Sequence, residues 1–320
     1  MNMPEICKPI IVVSRCLGFE ACRYDGQMLH ESLVQRLKPF VQIMTVCPEA
    51  DIGLGTPRHP VRLVRHQGEV HMIQPSTGAD LTADMRDYLV GQVSSWSEID
   101  GFLLKGRSPS CGPGGVKIYH GIDKVTGTEK GADMFAAAVS QAFPHAAIED
   151  EGRLRNFHIR ETFLMRIFAL ARLRQLMQQP SVAAISQFHA SHKLLLMCFH
   201  QDMMRQCGRI AGNSDGLDLA QLMRQYAARF RETLQRQPSQ RNIINALYHG
   251  YGWASDGLTS AEKKMFVDAV EEYRDERVTL ATLQLLLKSY VLRFEHAYLG
   301  SQYFLEPYPK ALFDLTSSGH

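Results

Sequence analysis

The sequence predicts an α/β Rossmann-like domain with a mostly parallel sheet, followed by an all-α helical domain. Between residues 9 and 145, short apolar runs alternate with segments of helical spacing. This β-α-β order is typical of a parallel sheet covered by helices. From Ile159 onward, apolar residues recur with a helical period almost everywhere. A length of 320 residues is enough for two separate cores.

The individual elements follow from the same patterns. Predicted strands cover residues 10–14, 41–46, 61–65, 69–73, 101–105 and 116–119, with a hairpin turn at Gln67 and Gly68. Predicted helices cover residues 28–37, 80–93, 131–143, 159–178, 182–207, 217–236, 239–250, 260–273 and 279–299. The charged, glycine-containing stretch 146–156 suits a linker. We therefore expect a first domain over residues 1–148, a connecting segment over 149–180 and a helical domain over 181–320.

Three cysteines follow runs that the pattern predicts to be strands. Cys16 comes two residues after the run 10–14, Cys47 directly after 41–46, and Cys111 a short loop after 101–105. If these runs are parallel strands, the three thiols meet at the carboxyl edge of the sheet, where open α/β sheets bind ligands. Three thiolates at one place suggest a metal or iron–sulfur centre with one open coordination position. Thiolates alone do not choose the metal, so zinc stays an alternative.

Composition and charge exclude some classes of protein. No apolar run approaches the length of a membrane span, and Pro4, Glu5 and Lys8 interrupt any export signal at the start. We therefore expect a cytoplasmic protein with reduced thiols and no membrane partner. The net charge of +2 conceals a basic block, because residues 153–241 hold 14 Lys or Arg against five Asp or Glu. Such a block can attract polyanions, although a solvated helix face has the same composition.

The segments around the three cysteines resemble one known family. They read Ser-Arg-Cys-Leu-Gly at 14–18, Cys-Pro-Glu at 47–49 and Lys-Gly-Arg-Ser-Pro-Ser-Cys-Gly at 105–112. Together, residues 8–145 resemble the small iron–sulfur desulfidases typified by thiouracil desulfidase, also called domain of unknown function 523. Residues 185–315, with His-Ala-Ser-His-Lys at 189–193, resemble a companion domain of unknown function, number 1722. The combination is similar to bacterial two-domain desulfidases that remove 4-thiouridine from transfer RNA.

The resemblance implies a [4Fe–4S] cluster bound by Cys16, Cys47 and Cys111, with one iron left without a protein ligand. That iron would polarise the thiocarbonyl of the substrate as a Lewis acid, so that water replaces sulfur and no redox partner is needed. The cluster of such a protein can be lost in air. Cys22, six residues after Cys16, is expected to be structural or to lie beside the ligands.

Other residues of the same motifs are candidates for chemistry and binding. Glu49, two residues after a ligand, is placed to move the proton of the attacking water. Ser108 and Ser110 flank the third ligand, and we favour Ser108 as the hydroxyl that orients water or substrate. The residues predicted to shape the substrate pocket are Arg23, Asp25 and Lys105.

The candidates for nucleic-acid binding lie after residue 150. His189, His192 and Lys193 share one helix face by their spacing. Two histidines that pack between helices are an equally good interpretation. The arginines that we expect to contact phosphates are Arg153, Arg155 and Arg160.

These features favour an enzyme that desulfurates 4-thiouridine in tRNA to uridine, releases sulfide and uses a [4Fe–4S] cluster without net electron transfer. One alternative is a desulfidase of free thiouracil or thionucleosides. Another is a non-catalytic iron–sulfur module that binds nucleic acid or has a regulatory role. Glu49 and Ser108, next to an open metal position, favour catalysis over this last alternative.

Overall fold

A computed structural model describes residues 7–121 and 127–316 of the chain. The chain forms two compact units: the first extends to Ala171 and resumes at Ala311, and the second is Arg172–Lys310. The predicted class, a parallel-sheet α/β domain followed by helices, is confirmed. Pro4 and Glu5, which bear on the expected lack of an export signal, lie outside the described residues. Within those residues, no helix combines the length and apolarity that crossing a membrane requires.

The first unit contains all the described strands. They are β1 (Ile10–Ser14), β2 (Gln42–Val46), β3 (Arg62–His66), β4 (Glu69–Gln74), β5 (Ala79–Asp80), β6 (Gly101–Leu104), β7 (Val116–His120), β8 (Gly127–Gly131) and β9 (Ala147–Asp150). The helices among them are α1 (Ser32–Leu37), α2 (Pro48–Asp51), α3 (Thr82–Ser94) and α4 (Met134–Ala142). The strands form two sheets, with the orders β2-β1-β6-β9 and β5-β4-β3-β7-β8.

The four-stranded sheet is parallel throughout, and its register brings four carboxyl ends to one edge. Ser14 of β1 lies opposite Val46 of β2, and Leu104 of β6 lies opposite Asp150 of β9. The strands β1 and β6 are almost completely buried, as expected for central strands covered on both faces. The loops that follow β1, β2, β6 and β9 therefore begin at the same edge.

The structure differs from the sequence prediction in each of the two sheets. The hairpin of β3 and β4 is confirmed, with Gln67 and Gly68 both at positive φ in its two-residue turn. The predicted helix 131–143 is wrong at its start, because Gly131 belongs to β8, which pairs with β7, and the helix α4 begins at Met134. The predicted linker 146–156 is wrong at its start, because Ala147 and Ile148 belong to β9. Pairing with β6 buries Ala147 and partly buries Ile148, and this tertiary contact outweighs the charged composition around them.

An aromatic cluster fills the core between the sheets and helices of the first unit. The ring of Phe102, on β6, lies 5.9 Å from Trp96 and 5.8 Å from Phe143, measured between ring centroids. Phe135, on α4, meets Trp96 edge to face at 6.2 Å. Such pairs add to the free energy of burial, so the β6 strand is held by side chains as well as by its hydrogen bonds.

The second unit consists of helices. Helix α5 (Phe157–Gln178) passes residue 171, where the two units divide, and is followed by α6 (Val182–Phe199), α7 (Gln201–Ala211), α8 (Leu219–Leu234), α9 (Gln240–Ala254), α10 (Ser260–Arg274), α11 (Leu280–Phe294) and α12 (Ala297–Gly300). The predicted single helix 182–207 is broken at His200, which is extended and caps α7 by accepting from the N–H of Met203. The functional boundaries at residues 148 and 180 stay a prediction.

The aromatic cluster predicts a large stability effect at Phe102. Phe102→Ala should lower the free energy of unfolding of the first unit by about 3–5 kcal/mol, because it removes a fully buried ring and leaves a cavity. Urea unfolding followed by the fluorescence of Trp96 measures this effect. Val90→Ala, at a position that is 70% exposed on α3, is the matched control and should cost less than about 0.5 kcal/mol. Equal effects of the two changes on the free energy of unfolding would contradict the role of Phe102 in the core.

Candidate metal centre

The three predicted ligand cysteines all follow strands of the parallel sheet. Cys16 lies two residues beyond β1, Cys47 lies between β2 and α2, and Cys111 lies in the loop after β6. Because these strands are parallel, the cysteines lie at the same sheet edge, as the sequence predicts. Within residues 7–121 and 127–316, no three His, Cys, Asp or Glu side chains are grouped closely enough to hold one metal ion. The role of Cys16, Cys47 and Cys111 as metal ligands stays a prediction.

The surroundings of Cys111 connect two loops of this edge. The Ser14 hydroxyl donates to Cys111 Sγ at 3.3 Å and accepts from the Lys105 N–H at 2.8 Å. Complete burial raises the pKa of Cys111, and the hydrogen bonds from Ser108 and Ser14 only partly oppose this. The loop is tight at Gly112, where a Cβ atom would lie 2.6 Å from the backbone oxygen of Ser108.

The thiols of Cys22 and Cys47 form a pair. A hydrogen bond from the Cys22 thiol lowers the pKa of Cys47 to about 7, against the opposing effect of burial, and the same bond raises the pKa of Cys22. The charge of Arg58 also lowers the pKa of Cys47. Burial raises the pKa of Cys16 to about 11. Among Cys16, Cys22, Cys47 and Cys111, Cys47 is therefore the thiol with the lowest pKa, and Cys22 is its neighbour.

Glu49 is a buried carboxylate with two partners. Its Oε1 accepts a hydrogen bond from Ser110 Oγ at 2.6 Å, and its Oε2 accepts one from Arg58 Nε at 2.6 Å. The hydroxyls of Ser108 and Ser110 lie 3.2 Å apart. The structure therefore puts Ser110, not the favoured Ser108, in contact with Glu49, and it puts Ser108 one hydrogen bond further away. All four side chains belong to loops or a short helix at the carboxyl edge.

Arg58 is a residue of this site that the sequence reasoning missed. Its side chain is only 4% exposed, and its Nη1 donates to the carbonyl oxygens of Cys22 and Gly55, each at 2.9 Å. Burial alone would lower the pKa of Arg58, but the charge and hydrogen bond of Glu49 raise it. No sequence signal identifies Arg58, because it lies in a glycine- and proline-rich loop without periodicity. The guanidinium fixes Glu49 and the backbone beside Cys22 together.

Asp133 is a second residue that the sequence reasoning missed. It caps α4 by accepting from the N–H of Ala136 at 2.7 Å, and its other oxygen is buried with no hydrogen-bond partner among the described residues. Burial raises the pKa of Asp133 to about 8, and the charge of Glu49 acts in the same direction. An aspartate directly before an apolar helical run is a helix-cap signal, but nothing in the sequence indicates a neutral carboxyl group.

The residues predicted to shape the substrate pocket form local ion pairs. Arg23 lies 3.4 Å from Asp25. Lys105 Nζ lies 2.5 Å from Glu151 Oε1, and Glu151 Oε2 accepts from the Gly106 N–H. A cavity of about 950 Å³ opens beside Lys105, between the loops after β6 and β9, and neither Arg23 nor Asp25 is in its lining. Its charged lining consists of Lys105, Arg107, Lys130, Arg153 and Arg155, with Glu149, Asp150 and Glu151.

Known proteins share this first unit. Residues 11–151 match the family model described as 2-thiouracil desulfurase. The chain is also 31% identical over 152 residues to the uncharacterised protein YbbK of Bacillus subtilis strain 168, which covers 44% of the chain and 97% of YbbK. The chain belongs to the 2-thiouracil desulfurase family. All three predicted ligands, Glu49 and both serines lie within the part of the chain that the desulfurase model matches.

The second half matches a family without an assigned function. Residues 193–309 match the model described as a protein of unknown function, DUF1722.

Two further proteins are similar to part of this chain. The uncharacterised protein YbgA of Escherichia coli strain K12 is 26% identical over 161 residues, which cover 50% of this chain and 95% of YbgA. A solved structure of the [4Fe-4S]-dependent thiouracil desulfidase TudS is 31% identical, covers 46% of this chain and 93% of its own, and superposes with a TM-score of 0.36.

The second unit of this desulfurase-family protein places the predicted histidines in its interior. His192 is fully buried, with its Nδ1 2.8 Å from the Phe188 carbonyl oxygen and its Nε2 accepting from Arg172 Nε at 3.0 Å. The prediction that His192 contacts nucleic acid is therefore wrong, because its ring is packed between helices. His189 is half-buried and lies 3.4 Å from the Tyr226 hydroxyl. Lys193 is half-buried, above the ring of Trp253.

The three predicted phosphate-binding arginines differ in exposure. Arg160 is buried, and its guanidinium donates to the carbonyl oxygens of Leu154, Arg155, Asp314 and Thr316. The prediction that Arg160 binds nucleic acid is therefore wrong, because its guanidinium is buried and its N–H groups bond to backbone carbonyl oxygens of two chain segments. Arg153 and Arg155 are exposed at the cavity, and Arg153 is paired with Glu149.

The half-buried His189 predicts acid sensitivity of the second unit. Burial, and then the charge of Lys193, lower the pKa of His189 to about 4. The unfolded chain binds a proton near pH 6.5 and the folded chain only near pH 4, so this part of the stability is complete above pH 6.5. It should be lost by up to about 1.4 kcal/mol per pH unit as the pH falls from 6.5 to 4.

Urea unfolding followed by Trp253 fluorescence at pH 7 and pH 5 measures this loss. His189→Gln removes the titrating group and keeps a polar side chain of similar reach, so its stability should depend less on pH than that of the wild type. An identical pH dependence in the two proteins would assign the acid sensitivity to other groups.

Proposed function

We propose that this protein removes sulfur from 4-thiouridine in tRNA, giving uridine and sulfide. The observation that carries the proposal is the carboxyl edge of the parallel sheet, where three cysteines follow the strands and where Glu49 accepts a hydrogen bond from Ser110. Membership of the desulfurase family supports a thiolated pyrimidine as substrate. Exchange of a C=S group for C=O consumes one water and releases one hydrogen sulfide, so no electron has to be supplied.

The cysteines fit a [4Fe–4S] cluster by the chemistry of their donors. Such clusters are held by thiolates, and each cysteine binds a different iron, so the three sulfurs do not have to surround one ion. Cys16, Cys47 and Cys111 would hold three irons and leave the fourth without a protein ligand. When bound, the cluster supplies a Lewis-acidic iron that takes the sulfur and polarises the C=S carbon.

Glu49 is the residue best placed to move the proton of the attacking water. Arg58 and Ser110 each hold one of its oxygens, so the carboxylate has a fixed orientation beside Cys47. A carboxylate held in this way can accept a proton from water and later return it. The Ser108 hydroxyl lies next to Ser110 and within reach of Cys111, where it can orient the water or the substrate. Arg58 is a positioning residue.

Positive charge in both units supports a polynucleotide as the substrate. The cavity at the sheet edge has five Lys or Arg residues in its lining against three Asp or Glu. Residues 153–241 carry nine more positive than negative charges. Lysine and arginine bind polynucleotides by neutralising phosphates and releasing counterions. The predicted contacts of Arg153, Arg155, His189 and Lys193 with RNA belong to this proposal.

A second candidate is the desulfuration of free thiouracil or a thionucleoside. The family description favours it, because it names 2-thiouracil and no polynucleotide. A module without turnover is less well supported. Burying the Glu49–Arg58 ion pair costs several kcal/mol of desolvation, and a merely structural role beside the thiols could be filled by apolar side chains.

The substrate can be tested with anaerobically purified, full-length protein. Thiolated tRNA should lose its 4-thiouridine and release one sulfide per residue converted, which nucleoside analysis and sulfide determination measure. Conversion of free 4-thiouracil or 2-thiouracil without conversion of tRNA would select the second candidate. A protein that retains about four iron atoms per chain but converts none of these compounds would contradict a desulfidase function.

Two substitutions separate the roles of carboxylate and thiol. Glu49→Gln should keep the iron and sulfide content and lower kcat by about 10²–10⁴-fold, since it removes the proton acceptor. Cys111→Ser should lose iron and activity together. Glu69→Gln, which changes an exposed carboxylate on β4, is the matched control and should retain both. Full activity of Glu49→Gln would exclude Glu49 from proton transfer.

A further inference from the structure

We infer that the first unit has its own RNA-binding surface, a cationic strip formed by Arg62, Lys117 and Lys130 on one face of the five-stranded sheet. The inference rests on the proposed function and deepens it, because it places part of the RNA on the desulfurase-family unit and not only on the helical unit. RNA is identified by the combination of three cations with an aromatic ring on a sheet face.

Strand register brings the three cations to one face. Lys117 of β7 lies directly opposite Lys130 of β8 in their antiparallel pairing. The parallel pairing of β3 with β7 puts Arg62 on the same face, because side chains alternate along each strand. All three side chains are exposed. The acidic residue of β8, Glu129, lies on the opposite face, where it pairs with Arg65.

The pairing of two lysines has an electrostatic cost that an anion would relieve. Like charges directly opposite each other destabilise an antiparallel pair. Neither Lys117 nor Lys130 forms an ion pair with any residue that the structure describes. A phosphate between the two ammonium groups would turn repulsion into attraction. The strip is therefore complementary to a phosphate backbone.

Protection against aggregation does not account for the whole strip. On an edge strand, preventing another strand from pairing can be the whole role of a lysine, and β8 is an edge strand. This explanation covers Lys130. It does not cover Lys117 on β7 or Arg62 on β3, since both of these strands have a partner on each side.

An aromatic ring and the neighbouring cavity favour RNA as the occupant. Tyr119 lies two residues after Lys117 on the same face, and the Arg62 guanidinium lies 5.1 Å from the centroid of its ring. Interleaved aromatic and cationic side chains are the surface that single-stranded nucleic acid uses, with bases stacked and phosphates paired. Lys130 also lines the cavity that contains Arg107, next to Ser108. The strip therefore leads to the loop that carries the predicted chemistry.

The test uses the full chain and unmodified tRNA. Lys117→Gln/Lys130→Gln should bind tRNA about tenfold more weakly near 0.1 M salt, and the slope of log K against log salt should fall by about 2. Fluorescence anisotropy over a salt series measures both quantities. Lys38→Gln/Lys263→Gln makes the same change in net charge at two other exposed lysines and should alter affinity less than about twofold.

A second measurement needs no variant. Bound tRNA should protect Lys117 and Lys130 of the wild type from acetylation, detected by mass spectrometry, and should leave Lys263 reactive. Unchanged affinity and salt slope of the double variant, a loss matched by the control variant, or equal acetylation with and without tRNA would overturn the inference. Strip-dependent binding to vesicles of anionic lipid in place of tRNA would overturn it as well.

Unmodified tRNA contains no sulfur to remove, so this binding test is independent of turnover. Desulfuration of thiolated tRNA by a protein whose strip does not contribute to binding would leave the proposed function standing and remove the strip. Strip-dependent binding of tRNA without desulfuration would support the RNA-binding strip and contradict the proposed function.

Discussion

The parallel pairing of β1 with β2 and β6 is the constraint on which the candidate site depends. The three cysteines are separated by 31 and 64 residues in the chain, so only the strand register can bring them to one edge. The same register adds β9, whose end carries Glu151 toward Lys105. Because central parallel strands are covered on both faces, this edge is the part of the sheet that remains open to a ligand.

The ion pair of Glu49 and Arg58 converts that edge into a defined chemical environment. Two buried charges in contact tolerate little displacement, because separating them would leave each one unpaired in a medium of low dielectric constant. Arg58 extends the constraint to the backbone at Cys22, and Ser110 extends it to the loop of Cys111. The segments at Cys22, Cys47 and Cys111 are thus fixed relative to one carboxylate, which is what general acid–base chemistry requires.

Sequence reasoning predicted what depends on periodicity and failed where tertiary contacts decide. The strands before Cys16 and Cys111 were predictable because buried parallel strands are continuous apolar runs. The strand β9 was not, since a short run among charged residues becomes a strand only when β6 is there to pair with it. For the same reason Arg58 and the burial of Arg160 and His192 could not be predicted, because one sequence does not tell which polar side chains meet buried partners.

The tight contact at Gly112 has a consequence for how this family can diverge. No side chain fits at that position, since the missing Cβ faces the backbone of Ser108 and the side chain of Val116. The Gly112 N–H also donates to the Ser108 carbonyl oxygen, so residues 105–112 form a tight loop that helps to set the spacing of its two hydroxyls and its thiol. Insertions there would displace three functional groups at once. Relatives should accordingly keep a fixed chain length around the third cysteine.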